Sequence, residues 1–272
     1  MTRYTTGEEY FDRNKPITVC CGRIPAMHSA PATAPLRIDA ATGLLAGARQ
    51  VLSPNFDARP AGTPPTLLVV HGISLPPGEF GGPWIDRLFT GTLAPEAHPY
   101  FAEIEGLRAS AHALIRRGGQ IVQYVPFGER AWHAGKSEYQ GRSGCNDFSI
   151  GIELEGADGT PYTEPQYGAL VVLVATLLAA YPSLSSAAIA GHSDIAPGRK
   201  TDPWQVFDWP RFRTLLQERL AAALLASYDS LSPEHIVGHS DIAPGRKEDP
   251  WPTFDWPRFR ALLKERYVPP RS

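Results

Sequence analysis

Thr66-Leu67-Leu68-Val69-Val70-His71 is a continuous aliphatic run that ends on a histidine. Such a run predicts a strand buried on both faces of a sheet. Ser149-Ile150-Gly151-Ile152-Glu153-Leu154-Glu155 alternates apolar and polar residues and predicts another strand, and residues 187–191 predict a short one that leads into His192. We therefore expect a sheet in which two strands deliver histidines.

The remaining pattern adds a hairpin and two helices. Residues 110–115 and 121–126 are two short apolar stretches joined by a turn at Gly118-Gly119, which is typical of a β-hairpin. Thr163 is a favourable N-cap for a buried helix that runs to about residue 180. An amphipathic helix begins at Pro210, and we expect it to run on to Ser227.

A tandem repeat follows the predicted sheet. Residues 191–204, Gly-His-Ser-Asp-Ile-Ala-Pro-Gly-Arg-Lys-Thr-Asp-Pro-Trp, recur at residues 238–251 with one change, Glu248 for Thr201. The repeat period is 47 residues, and two units are fewer than the three or more that a solenoid needs. The two copies therefore compete for one position in one sheet.

The spacing favours the first copy in that position. His192 lies 39 positions after Glu153, which suits one helix, one connection and one short strand. We predict one domain over residues 37–219 and an appendage over residues 220–272. The alternative, in which His239 and Asp249 complete the site, stays open, as does exchange of the second copy into another subunit.

Composition restricts the partners and the compartment. The net charge of −2 gives no reason to expect nucleic acid or an anionic membrane as partner, and no apolar run is long enough for a membrane span. Three cysteines, two of them adjacent, argue against a disulfide framework. Residues 1–36 carry no export pattern and predict a poorly ordered extension. We expect a cytoplasmic protein; its oligomeric state is not predicted.

Two histidines and a carboxylate from separate elements form a workable set of metal ligands. A catalytic zinc site needs three such residues and an open position for water, and His71, His192 and Asp202 can supply them. Glu153 can accept a proton from water, and Lys200 can stabilise an oxyanion. Each residue also has an ordinary role as a packed histidine, a surface carboxylate or a solvated lysine.

Four segments together resemble the AmpD family of zinc amidases. They are Val69-Val70-His71-Gly72-Ile73-Ser74-Leu75-Pro76-Pro77-Gly78-Glu79-Phe80, Ala131-Trp132-His133-Ala134-Gly135, Asn146-Asp147-Phe148-Ser149-Ile150-Gly151-Ile152-Glu153-Leu154-Glu155-Gly156 and the loop at residues 192–202. The resemblance implies an α+β fold with a mixed β-sheet flanked by helices. It also implies Zn²⁺ as cofactor and hydrolysis of the amide between the lactyl group and L-Ala of 1,6-anhydro-muropeptides, in peptidoglycan recycling.

The resemblance also assigns roles to residues. By it, His71, His192 and Asp202 match the zinc ligands, Glu153 the catalytic acid/base, and Lys200 the residue that stabilises the transition state. The positions that match the lining of the muropeptide pocket are Arg108, Trp132 and Arg199. The sequence departs from the family pattern at Gly72, where Asn is usual, and at Trp204, where Gly is usual.

Two other functions remain possible from the sequence. One is a binding module that recognises peptidoglycan fragments without cutting them, and the other is a broader wall-lytic amidase that acts on polymeric peptidoglycan. All five residues of the predicted catalytic set are present, which favours an enzyme over a binding module.

Overall fold

A computed structural model describes residues 36–227, 234, 236–243, 245–246, 256–257 and 259–261. Residues 1–35 of the predicted extension lie outside this part, and so does Asp249. The described residues form an α+β structure, with a mixed six-stranded sheet flanked by helices, which confirms the predicted fold class. None of its helices combines the length and apolar character needed to cross a membrane.

Most of the strands are short, and two are seven residues long. The strands are β1 Arg37–Ile38, β2 Leu45–Ala46, β3 Arg49–Gln50, β4 Phe56–Asp57, β5 Leu67–Ile73, β6 Ala113–Ile115, β7 Ile121–Gln123, β8 Arg130–Ala131, β9 Glu138–Tyr139, β10 Arg142–Ser143, β11 Ser149–Glu155 and β12 Ile189–Gly191. The helices are α1 Trp84–Phe89, α2 Pro99–Glu103, α3 Glu164–Ala180, α4 His192–Ile195, α5 Trp209–Ser227 and α6 His239–Ile242, with 3₁₀ turns at Pro95–Ala97 and Cys145–Asp147.

The main sheet has the strand order β12-β5-β11-β6-β7-β3. Strands β12, β5, β11 and β6 are parallel, and β6 and β7 form the predicted antiparallel hairpin. In the β5–β11 ladder His71 lies opposite Glu153. Because residues opposite each other in a ladder project from the same face of the sheet, the register brings a predicted metal ligand beside the predicted catalytic carboxylate.

Two details of the strands differ from the sequence prediction. Strand β5 continues past His71 to Ile73, so the histidine lies within the strand. Strand β11 is buried at all seven positions, although its alternating pattern predicts one exposed face. The reason is that β11 lies inside the sheet and both of its faces are covered, which leaves Glu153 and Glu155 in the interior.

Helix α3 covers the face of the sheet opposite His71. Thr163 forms a capping box with Gln166 at its start, which confirms the predicted N-cap. Apolar side chains of α3 pack on the alternate residues of β5 and β11, Leu68, Val70, Ile150, Ile152 and Leu154, together with the first half of α5. Since this face is fully apolar, the polar residues of the opposite face carry the chemistry.

The first repeat copy occupies the sheet position. Strand β12 pairs with β5, and α4 begins at His192 immediately after it. Helix α5 runs from Trp209 to Ser227, which confirms the predicted long helix. Of the alternative pair, His239 begins α6 outside the sheet.

The described part of the second copy reproduces the internal packing of the first. Its small core contains Ala221, Ala222, Leu225, Ile236, Trp256 and Phe259. The residues 47 positions earlier are Val174, Ala175, Leu178, Ile189, Trp209 and Phe212, and all six either belong to the main core or pack against it. The C-terminal half of α5 therefore takes the place of α3 for the second copy. Residues 236–238, the counterpart of β12, belong to no strand.

Candidate active site

Three predicted metal ligands meet at the carboxyl end of the central strands. Nδ1 of His71 lies 3.0 Å from Nδ1 of His192 and 3.4 Å from Oδ2 of Asp202, and the distance from His192 Nδ1 to the same carboxylate oxygen is 3.1 Å. All three side chains are buried. They are the one group of residues in the described part of the chain whose donor atoms converge closely enough to hold a metal ion.

A chain of hydrogen bonds sets the tautomer of His71. The Ser149 hydroxyl donates to the Cys145 carbonyl at 2.5 Å, so its oxygen accepts from Nε2 of His133 at 3.2 Å. Burial lowers the pKa of His133 well below its usual value, so the ring is neutral and its Nδ1 is an acceptor. This Nδ1 lies 2.9 Å from Nε2 of His71, which must therefore be the donor.

The same logic applies to His192. Its Nε2 lies 3.3 Å from the Ala134 carbonyl oxygen, which can only accept. Burial lowers the pKa of His71 to about 4, so that ring also is neutral near pH 7. In the neutral form of each imidazole the proton is therefore on Nε2, and Nδ1 presents a lone pair. With both rings neutral, a carboxylate oxygen and two ring lone pairs face one another, and all three are acceptors.

This arrangement fits a small cation. With both rings neutral, the three acceptors lie within 3.4 Å of each other and repel one another unless a positive charge lies among them. Ligands bound to zinc at about 2.0–2.1 Å in tetrahedral geometry are about 3.3 Å apart. The observed separations of 3.0, 3.1 and 3.4 Å match that spacing, and the nitrogen and carboxylate donors are those that zinc accepts.

Glu153 differs from Glu155, the other buried glutamate of β11. Its neighbour Glu155 is paired with Arg116 at 2.9 Å and accepts a backbone N–H from Gly81 at 2.7 Å. Oε2 of Glu153 is buried and has no hydrogen-bond partner. Burial, helped by the charge of Asp202, raises the pKa of Glu153 well above its usual value. A carboxylate kept in this state accepts a proton readily, as a general base requires.

An open cavity of about 370 Å³ joins these groups. The metal-ligand group, Glu153 and Lys200 line it, together with Trp132, Trp204, Ile104 and Leu107. Lys200 is exposed at the cavity rim. Trp132 forms part of the wall and donates its indole N–H to Asp57 at 3.2 Å. The cavity therefore combines the flat apolar wall of Trp132 with the Glu153 carboxylate, the Lys200 side chain and the metal-ligand group.

The two predicted arginines lie outside the lining of this cavity. Arg108 is exposed and lines a neighbouring cavity of about 430 Å³. Leu107 and Ala109, on either side of it, line the cavity of about 370 Å³ that contains the metal-ligand group. Nη2 of Arg199 donates to the carbonyls of Ala134 and Lys136, at 2.7 Å each. Arg199 therefore stabilises residues 134–136, and the Ala134 carbonyl of this segment orients His192.

From the sequence, His112 and His133 are expected in structural or supporting roles, because three metal ligands are already assigned. His133 and Ser149 lie in segments that carry the family resemblance, but their spacing does not reveal that they form one chain ending at His71. His112, in contrast, accepts from Gly151 N–H and has Nε2 3.0 Å from the Glu129 carbonyl, so its hydrogen bonds fix the backbone at these two positions.

Comparison with known proteins gives consistent matches. The Amidase_2 family, described as N-acetylmuramoyl-L-alanine amidase, matches residues 61–205. The 1,6-anhydro-N-acetylmuramyl-L-alanine amidase AmpD of Escherichia coli (strain K12) is 64% identical over 176 residues, which are 65% of this chain and 96% of the relative. AmpD of Haemophilus influenzae is 53% identical over 174 residues, or 64% of this chain and 95% of the relative.

A solved structure agrees with the fold. A crystal structure of a selenomethionine derivative of AmpD has a TM-score of 0.63 and 63% sequence identity, and the match covers 64% of this chain and 97% of that one. The family match includes the metal-ligand group and Glu153 and ends before the second repeat copy.

Proposed function

The chain belongs to the N-acetylmuramoyl-L-alanine amidase family, and from that premise we propose that it hydrolyses the amide between the lactyl group and L-Ala of 1,6-anhydro-muropeptides in peptidoglycan recycling. One observation carries this proposal. Three converging ligand atoms and a buried Glu153 carboxylate, whose Oε2 has no hydrogen-bond partner, face the same cavity. We propose residues 37–219 as the catalytic domain and residues 220–272 as an appendage.

The proposed cofactor is Zn²⁺, held by His71, His192 and Asp202. Bound there, the ion supplies polarisation of the substrate carbonyl and lowers the pKa of a water molecule towards ~7. The hydrogen bonds at Nε2 of both histidines support this ligand set, because in the neutral rings they leave each Nδ1 free to bind the ion.

Glu153 and Lys200 complete the chemistry. Glu153 removes a proton from the attacking water as the oxygen adds to the lactyl carbonyl. When the C–N bond breaks, the same carboxyl gives the proton to the leaving nitrogen of L-Ala, so protons balance over the cycle. The Lys200 ammonium at the rim donates to the oxyanion that develops on the carbonyl oxygen. The raised pKa of Glu153 supports both transfers.

The substrate would lie along the cavity. We propose that Trp132 contacts its apolar surface and that Arg108 and Arg199 interact with carboxylates of the stem peptide, for which guanidinium groups are suited. The exposed position of both arginines supports this role. We further propose a cytoplasmic location, with which the free, buried Cys145 thiol is compatible.

Hydrolysis can be tested directly. Zinc-loaded full-length protein is incubated with 1,6-anhydro-N-acetylmuramyl tripeptide in ¹⁸O-labelled water, and the products are analysed by mass spectrometry. We expect a tripeptide with a free L-Ala amine and a sugar acid that carries one ¹⁸O atom in its lactyl carboxyl group. Glu153→Gln is the control that should leave the substrate intact.

Two outcomes would contradict the proposal. Binding of the tripeptide substrate without any cleavage would indicate the non-catalytic binding module. Faster release of stem peptides from intact sacculi than from the soluble substrate would indicate a broader wall-lytic amidase.

A further inference from the structure

Trp204 stands between two cavities. Its side chain lines the catalytic cavity beside Asp202 and Glu153, and it also lines an adjacent cavity of about 800 Å³. Lys200 lines both cavities as well. The adjacent cavity therefore borders the proposed active site and shares these two lining residues with it.

The backbone at Trp204 adopts an unusual conformation. Its φ angle is +60°, a left-handed value that large side chains rarely adopt. A non-glycine residue held in this region costs backbone energy and often marks a functional position. The conformation is supported locally, because Trp204 N–H bonds the Thr201 carbonyl at 2.9 Å and the indole packs on the main core.

Gly72 makes room for the indole. This glycine directly follows His71 in β5, and a Cβ atom placed on it would lie 2.2 Å from Cζ3 of Trp204 and 2.5 Å from the Tyr162 hydroxyl. Real Cβ atoms do not approach a ring atom so closely. A side chain at position 72 would therefore force the Trp204 indole and the Tyr162 hydroxyl to shift.

The adjacent cavity has the composition of a carbohydrate site. It presents two indoles, Trp204 and Trp209, and hydrogen-bonding side chains from Asp158, Ser193, Thr201 and Gln205. Flat aromatic faces stack on the C–H faces of sugar rings, and short polar side chains pair with hydroxyl groups. Its lining also includes one carboxylate, Asp158, and one amine, Lys200.

We propose that Trp204 and this adjacent cavity form a saccharide subsite, in which the indole stacks on the neutral sugar portion of the substrate. The inference rests on the proposed amidase function and specifies which part of the substrate lies on which side of the catalytic centre. The stem peptide would extend the other way, past Trp132.

The test compares two ligands in protein that cannot turn over. In the full-length Glu153→Gln background, dissociation constants are measured by calorimetry for 1,6-anhydro-N-acetylmuramyl tripeptide and for the free tripeptide. Trp204→Gly should weaken binding of the sugar-bearing ligand by about 5- to 10-fold, the range of a lost aromatic contact, and leave the free tripeptide unchanged. Glycine accepts a φ of +60°, so this variant should fold.

The repeat supplies a matched control. Trp251 is the same residue in the second copy, and Trp251→Gly should change neither constant. Gly72→Ala provides a second perturbation, because its Cβ should push the indole aside and reproduce the sugar-selective loss. Melting curves of each variant check that it is folded.

The results separate the two proposals. An unchanged dissociation constant in Trp204→Gly, or an equal loss for both ligands, would overturn the saccharide subsite even if the wild-type enzyme hydrolyses its substrate. A sugar-selective loss in protein that shows no hydrolysis before the Glu153→Gln change would support the subsite and overturn the amidase function.

Discussion

Replacing His133 tests how the protein prepares its metal site. His133→Leu removes the acceptor that lies 2.9 Å from Nε2 of His71. In metal-free protein the His71 proton can then move to Nδ1 and bond Asp202, 3.4 Å away. Before zinc can bind to Nδ1 of His71, the proton must return from Nδ1 to Nε2. Loss of such an orienting partner costs about 10–100-fold in metal affinity, or about 1.4–2.7 kcal/mol.

The assay is competition for zinc with a chromophoric chelator, supported by ¹⁵N NMR of the His71 ring nitrogens. His133→Leu should bind zinc about 10–100-fold more weakly. His133→Asn is the conservative variant, because its amide oxygen can replace Nδ1 as acceptor, and it should recover most of the affinity. Unchanged zinc affinity in His133→Leu, with the His71 proton still on Nε2 in metal-free protein, would refute the reasoning.

Two further predictions concern the catalytic residues. In metal-free protein, Glu153→Gln should be more stable than the wild type by about 1–3 kcal/mol near pH 8, since the buried unpaired charge is removed. Because the pKa of Glu153 is raised in the folded state, the stability of the wild type falls as pH rises. The difference in urea denaturation midpoint between the wild type and Glu153→Gln should therefore vanish near pH 4. A difference that does not change with pH would contradict this cause. Lys200→Ala should lower kcat about 10²–10³-fold with unchanged zinc content, whereas Lys247→Ala, its counterpart in the second copy, should have no effect. Equal effects of the two lysine changes on kcat would show that Lys200 has no special position.

The sequence predicts the strands and helices that carry the site better than the tertiary contacts that its side chains make. The apolar run at β5 and the capping signal at Thr163 each have a local physical cause, and the structure confirms both elements. Strand β11 lies where the sequence predicts it, and the family resemblance selects Glu153 over Glu155, but the alternating pattern alone does not distinguish the two glutamates. Glu155 has Arg116 as partner and Glu153 has none, and this difference depends on tertiary contacts that alternation cannot reveal.

The two departures from the family pattern illustrate the same limit. Gly72 and Trp204 are 132 positions apart in the sequence and gave no sign of a connection. In the structure the indole occupies the space above the glycine, so the two residues form a single feature of the cavity wall.

The repeat also has a physical explanation in the structure. Each chain has one sheet position next to β5 and two copies that could fill it. If two subunits exchanged their second copies, each sheet would still have one position next to β5, and one repeat copy per chain would still be left without a position. Domain swapping would therefore add no strand pairing. The described part of the second copy instead packs on the end of α5, using the counterparts of contacts that the first copy makes.

The zinc content of two matched variants after dialysis tests the central claim most directly. The wild type and His239→Ala should each retain about one zinc per chain, and His192→Ala should retain none tightly, because a catalytic site needs three protein ligands. Retention of zinc by His192→Ala together with its loss from His239→Ala would show that the second copy builds the metal site and would contradict this account.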